Sequence, residues 1–250
     1  MNLDISLSSD ILFNIGNFPV SNTFFWTVIT SIFLMSVFVL SARKMKSVPG
    51  GFQNFLEMLL EGAYSFVESV VGPGKAAKRI FPLVATMFIF ILFSNLIVYI
   101  PGQSAVSLYR DGGSVAVFRA IMSDYSLVLV MTLIAVITTQ IVAIAVVGPF
   151  KYLGKFINLK GPLDFFLGIM DLVGEIAKIV SLSFRLFGNI FAGEVLGMVM
   201  LFLAPFFVPL PFMFLGLLTA VVQAFVFAVL TLVFVSMSLE LKEAEESKQI

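Results

Sequence analysis

The 250-residue chain reads as an all-α polytopic membrane protein, with five membrane-embedded helices, one interfacial amphipathic helix, and the last two helices forming a long tilted hairpin. Three observations lead there. Hydrophobic residues make up 60% of the chain and charged residues only 12%, against ~25% charged in an ordinary soluble domain. The apolar residues fall in blocks at least as long as the ~20 residues that cross a bilayer core. Basic residues crowd into alternate connecting segments, the asymmetry that orients membrane helices.

Several function classes drop out at once. Net charge is zero, so no polybasic attraction to nucleic acid is expected. The absence of Cys and His excludes disulfides, thiol chemistry, haem ligation by His and ordinary zinc sites. Any proton relay must therefore use carboxylates, Lys, Arg, Tyr, amides or water rather than imidazole. No Gly-rich phosphate loop is present, and no cofactor is expected.

The elements follow in order. Residues 1–21 carry Asp4 and Asp10 but no basic residue, unlike a signal-peptide n-region, so the first apolar block is expected to be a retained anchor. That first span is 22–42, with Trp26 near its start. It ends at Arg43, Lys44 and Lys46 before Pro49-Gly50-Gly51. Residues 52–71 place Phe52, Phe55, Leu56, Leu59, Leu60, Ala63, Phe66, Val67 and Val70 at helical spacing, with Gln53, Glu57, Glu61 and Glu68 elsewhere. Two readings stand, an amphipathic helix lying in the interface or a short packing helix facing water. The second span is 80–100, stopped by Pro101-Gly102, and the third is 127–147, stopped by Gly148-Pro149. The hairpin comprises 163–203 and 212–239, joined by a turn with Pro205, Pro209 and Pro211. A charged tail, 240–250, follows; Ser236, Ser238 and Glu240 are read as marking the water boundary.

With the N-terminus outside, the inner segments 43–79, 148–162 and 240–250 hold eleven Lys/Arg, whereas the outer ones hold only Arg110 and Arg119. Eleven against two predicts an outer N-terminus and a cytoplasmic C-terminus.

Within 163–200 stand Asp164, Asp171, Glu175, Lys178, Arg185, Asn189 and Glu194. At about 100° per residue, all but Glu194 share an arc of roughly 80°. A charge at mid-membrane costs roughly 2.5–3.5 kcal/mol on insertion scales. Lys178 could snorkel to the inner interface. Arg185 is harder to place, because it lies ~36 Å of helix from Gly161-Pro162, more than the thickness of the core. The helix therefore starts well inside the cytoplasm or is strongly tilted. Arg185 stays protonated, and one turn away on either side stand only Ser181, Leu182, Gly188 and Asn189. A buried arginine without an intrachain carboxylate implies one on another subunit; the rival reading is a packing arginine tied to carbonyls. For Glu194 two readings stand, a buried acid exchanging protons near neutral pH or a helix-end acid at the outer interface. Thr219 and Gln223 lie one turn apart in the last helix, where an amide commonly bonds between helices.

The run Ser181-Leu182-Ser183-Phe184-Arg185-Leu186-Phe187-Gly188-Asn189-Ile190-Phe191-Ala192-Gly193-Glu194 resembles the signature of subunit a of F-type ATP synthases. Gln223-Ala224-Phe225-Val226-Phe227 with Leu230-Thr231, and Phe93-Ser94-Asn95-Leu96 before Pro101-Gly102, are similar to further parts of that family. The resemblance implies that Arg185 faces a rotating ring of c subunits, attracts its ionised carboxylates and blocks leakage between two half-channels. It implies an outer half-channel at Glu194, polar partners Asn189 and Gln223, and inner positions at Asp171, Glu175 and Lys178. Ser123-Asp124 sits where many members carry an acidic motif, whereas Gly216 stands where many carry an ionisable residue. Expected partners are the c-ring, peripheral-stalk b subunits, other ATP synthase subunits and lipid, in a bacterial plasma membrane. A stand-alone secondary transporter and a scaffold subunit are the rival functions; no internal repeat supports the first.

Overall fold

The computed structural model describes residues 10–16, 18–43, 45–46, 50–99, 107–110, 113–149, 152, 154, 162–203 and 207–246. Most of the basic loop 151–160, the first two residues and the first proline of the turn 204–206, and the far tail 247–250 lie outside these residues, as do the side chains of Asp164, Ser238 and Glu240.

Five helices are long and apolar enough to cross a membrane. Helix α1 spans Asn22–Arg43, α3 Lys75–Leu96, α4 Tyr125–Val147, α5 Pro162–Leu203 and α6 Pro209–Glu246; α2, Gly51–Val71, is the amphipathic one. Small strand pairs decorate this all-α frame. β1 (Ile11–Ile15) pairs antiparallel with β2 (Phe18–Ser21), and β3 (Ser107–Arg110) with β4 (Gly113–Ala116). Neither was visible as an alternating pattern, because each strand has only four or five residues. Helix α6 starts before the expected 212 and runs seven residues past 239. The charges beyond 239 mark where apolar sequence stops; Glu, Lys and Ala there are good helix formers.

Local chemistry sets the helix ends. The Ser21 hydroxyl accepts the Phe24 N–H at 3.3 Å, capping α1. Asp124 caps α4 by accepting the Ser126 N–H at 3.0 Å, and its other oxygen accepts the Thr23 hydroxyl at 2.8 Å. One carboxylate thus starts a helix and ties α1 to it. Within α1, Thr27, Ser31 and Ser36 each donate to the carbonyl four residues back, at 2.7–2.8 Å, so their hydroxyls are satisfied without water.

Helices α3, α4, α5 and α6 form the core around Ile91, Val128, Leu186 and Phe227, closed at one end by the turn Ile121–Ser123. The most extensive helix contact is α3 with α6. Small residues permit it: Gly216, Ala220, Ala224 and Ala228 recur every four residues, and the three alanines are buried. In lipid, close backbone approach replaces the hydrophobic drive that packs helices in water. Helix α1 is peripheral, with only Asn22, Thr23 and Thr30 buried.

Helix α2 docks by one end. Val67 is buried against Ala77, Ile80 and Leu232, and the Ser236 hydroxyl donates to the Val70 carbonyl at 3.2 Å. Phe52, Phe55 and Met58 are more than half exposed. A packing helix would cover these side chains, so their exposure favours the interfacial reading.

Candidate ion-translocation site

Helix α5 has 42 residues and α6 has 38, or ~63 Å and ~57 Å at 1.5 Å per residue. Both exceed the ~30 Å core about twofold, so along a membrane normal their ends would leave it. Their polar side chains divide into three groups.

Arg185 stands in the middle. Leu182, Ser183 and Leu186 turn inward and are buried, which leaves Phe184 and Arg185 exposed on the outward side. The arginine was expected to be buried; its own chain does not cover it. Among the described residues it makes no hydrogen bond or ion pair. One turn on, Asn189 is also exposed, and its Nδ2 donates to Gln223 Oε1 at 2.8 Å. The pairing across the hairpin that spacing allowed is therefore made. Gln223 is buried and its Nε2 lacks a partner; nearby, Asn95 Nδ2 donates to the Ala220 carbonyl at 3.3 Å while its Oδ1 lacks one. Two orphaned amide atoms beside α6 make a place where water would be held.

Glu194 forms the second group, nine residues or ~14 Å of helix beyond Arg185. It is half-buried and stands nine residues before the end of α5. The Ser123 hydroxyl and the Ala120 backbone N–H reach its carboxyl, with the Arg119 guanidinium beside them. Arg119 Nε also donates to Ser123 Oγ at 3.3 Å. The neighbouring Asp124 is spent on capping α4 and holding Thr23.

The third group lies ten residues, ~15 Å, to the other side of Arg185. Glu175 accepts Lys178 Nζ at 2.8 Å and Gln140 Nε2 at 2.5 Å. The Tyr152 hydroxyl donates to Gln140 Oε1. Lys178 lies 4.6 Å from the centre of the Phe234 ring. It is thus held by a carboxylate and an aromatic face, rather than reaching alone for the interface. Burial, then the charges of Glu175 and Asp171, pushes Tyr152 up to about 12. Asp171 is exposed at the rim of this cluster. Thr219 belongs to none of the groups; its hydroxyl donates to the Leu215 carbonyl.

The structure therefore joins Asn189 to Gln223 and Glu175 to Lys178, and holds Arg185 and Glu194 apart from both pairs. Sequence reasoning missed Gln140, Tyr152, Arg119 and Ser123 as partners. Gln140 left a signal as the single amide in the third span, and Ser123 as part of the Ser123-Asp124 motif.

The family model described as ATP synthase A chain matches residues 24–236. The ATP synthase subunit a of Moorella thermoacetica is 35% identical over 225 residues, which cover 90% of this chain and 94% of that protein. That of Campylobacter curvus is 34% identical over 240 residues, 96% of this chain and 99% of that protein, and that of Geobacter sulfurreducens is 35% identical over 218, 86% and 85%. With five membrane-capable helices and a match across most of its length, this chain belongs to the ATP synthase A chain family.

Proposed function

We propose that this chain is the stator of a rotary proton translocator, and that it supplies two offset half-channels with Arg185 between them. The observation that carries the reading is a cation with no partner among the described residues, on an exposed face of its helix, with separate polar clusters ~14 and ~15 Å along that helix. A fixed positive charge on an outward face needs a negative partner to be tolerated in the membrane. A ring of c subunits, each carrying a carboxyl group, meets that need.

In this reading protons enter from outside past Glu194 and pass the orphaned amides of Asn95 and Gln223. They neutralise a ring carboxylate, which then crosses lipid uncharged. After a turn, the carboxyl meets Arg185, ionises, and gives its proton to the inner cluster at Glu175, Lys178 and Asp171. Arg185, permanently charged, repels protons and keeps the two paths from joining. The apolar side chains flanking it, Phe184 and Val180 on α5 with Val221 and Val222 on α6, are exposed and offer the ring a greasy bearing surface. The uncovered flank of α1 is offered to lipid and the peripheral-stalk b subunits. The N-terminus lies outside and the C-terminus in the cytoplasm, the orientation that the loop charges favour. Each proton moved down 100 mV yields ~2.3 kcal/mol, so several are needed per ATP.

The test is Arg185→Ala in membranes holding the full complex. Assembly should be retained while proton-driven ATP synthesis falls to background. An assembled Arg185→Ala complex that still makes ATP would sink the reading and favour a scaffold role. Solute uptake by the purified chain alone would favour a transporter.

A further inference from the structure

We infer that the Tyr99 hydroxyl is a positioning group of the outer proton path, seated in a notch that Gly216 leaves open, where it holds a proton or water for Glu194. The inference rests on the reading of Glu194 as the outer entry.

The notch is specific. A Cβ added at Gly216 would run into the Tyr99 hydroxyl, with the ring carbon that bears it at 3.3 Å. At Gly51, Gly62, Gly174, Gly188, Gly193 and Gly197, by contrast, an added Cβ would meet nothing within 4 Å. Gly216 has an ordinary backbone conformation, so the turn itself does not require glycine. What requires it is the space taken by one hydroxyl. Tyr99 ends the tight turn Ile97–Tyr99 that follows α3, four residues beyond Asn95, which bonds Ala220 one turn from Gly216. The two walls therefore run antiparallel, Asn95 against Ala220 and Tyr99 against Gly216.

Depth along the hairpin brings Glu194 to the same level. Asn189 and Gln223 are bonded and fix the register. Glu194 is five residues outward of Asn189, ~7.5 Å, and Gly216 is seven outward of Gln223, ~10.5 Å. Going inward, the Tyr99 hydroxyl and the unpartnered atoms of Asn95 and Gln223 mark successive steps along α6 at Gly216, Ala220 and Gln223. A hydroxyl can donate and accept at once, so it can pass hydrogen bonding between Glu194 and water held at those amides.

The experiment uses the complete ATP synthase in inverted membrane vesicles. ATP-driven proton uptake is followed by dye quenching, with ATP hydrolysis and complex content measured alongside. Tyr99→Phe keeps the ring and removes the hydroxyl; it should lower uptake roughly two- to tenfold, the range for one lost hydrogen bond, and alter the pH profile of uptake at unchanged complex content. Gly216→Ala should do the same by displacing the hydroxyl, and the two together should be no worse than either alone. Tyr99→Ala with Gly216→Ser, which returns a hydroxyl from the opposite wall, should recover uptake that Tyr99→Ala with Gly216→Ala does not. Wild-type uptake and pH profile in Tyr99→Phe would overturn the inference. So would losses that multiply in the double variant, or a Tyr99→Phe chain that fails to assemble beside a Gly216→Ala chain that pumps normally. Arg185→Ala in the same series reports separately on the underlying reading, which fails if that variant still pumps.

Discussion

Replacing Glu175 with Gln keeps the shape of the inner cluster and strips its negative charge. Lys178 then loses the negative charge 2.8 Å away and keeps, at best, a neutral amide oxygen and the Phe234 ring at 4.6 Å. Two limits bracket the cost. An exposed ion pair contributes ~0–1 kcal/mol, and an unpaired charge at the bilayer centre costs roughly 2.5–3.5 kcal/mol. The side chains of Lys178 and Glu175 are 28% and 16% exposed, which lies between these limits. The retained ring offsets part of the loss, since a cation over an aromatic face is worth ~0.5–2 kcal/mol. About 1–2 kcal/mol should therefore be lost. The measurement is the fraction of complex that survives graded heating in mild detergent, for Glu175→Gln, Lys178→Met and both together. Glu175→Gln alone should be the least stable, and adding Lys178→Met should restore most of the loss by removing the stranded cation. Wild-type stability in Glu175→Gln, or a double variant weaker than the sum of the singles, would refute the argument that the pair exists to neutralise Lys178.

Asp124→Ala removes both a helix cap and the acceptor for Thr23. It should cost about 1–2 kcal/mol in the same heating assay, and Asp124→Asn should recover about half. Tyr152 is held protonated up to about 12, so the folded chain keeps a proton that an unfolded tyrosine releases near 10. Its contribution to stability should be constant below pH 9 and shrink between about 10 and 12, read as a narrowing difference in melting temperature between wild type and Tyr152→Phe. Phe227 is fully buried at the meeting of four helices and Phe225 is half exposed beside Phe66. Phe227→Ala should leave a cavity on the order of 100 Å³ and cost ~3–5 kcal/mol, against under 1 kcal/mol for Phe225→Ala, compared by heating the two complexes.

Legibility in the sequence followed contrast. Membrane spans were plain because charge is scarce and its loss over ~20 residues has one physical meaning. Arg185 stood out for the same reason, as a cation with no acid near it in sequence, and it makes no pair among the described residues. Asn189 and Gln223 were visible as the few amides in an apolar hairpin, although only the fold shows that they bond. What failed was everything decided by the other helices. Around Lys178, which could also reach for water, Glu175 one turn back on the same helix forms an ion pair, and Gln140 on another helix bonds that carboxylate. A residue three positions away is a neighbour on a helix, so that pair could have been anticipated; Gln140 could not.

The same limit explains Gly216. In water, a buried face announces itself by apolar periodicity, because the other face must be polar. Helix α6 has apolar residues on every side, since lipid and protein interior are alike to it, and periodicity carries no signal there. What distinguishes its packed face is size, with Gly216, Ala220, Ala224 and Ala228 at intervals of four. Read for size, that stripe marks where α3 must approach. Read for chemistry, Gly216 looked like the loss of an ionisable group from the outer path. The fold reconciles the two readings, because the small residue admits the hydroxyl of Tyr99 to the place its own side chain would fill. In a membrane helix, a missing polar residue is therefore best sought on the helix that packs against the gap.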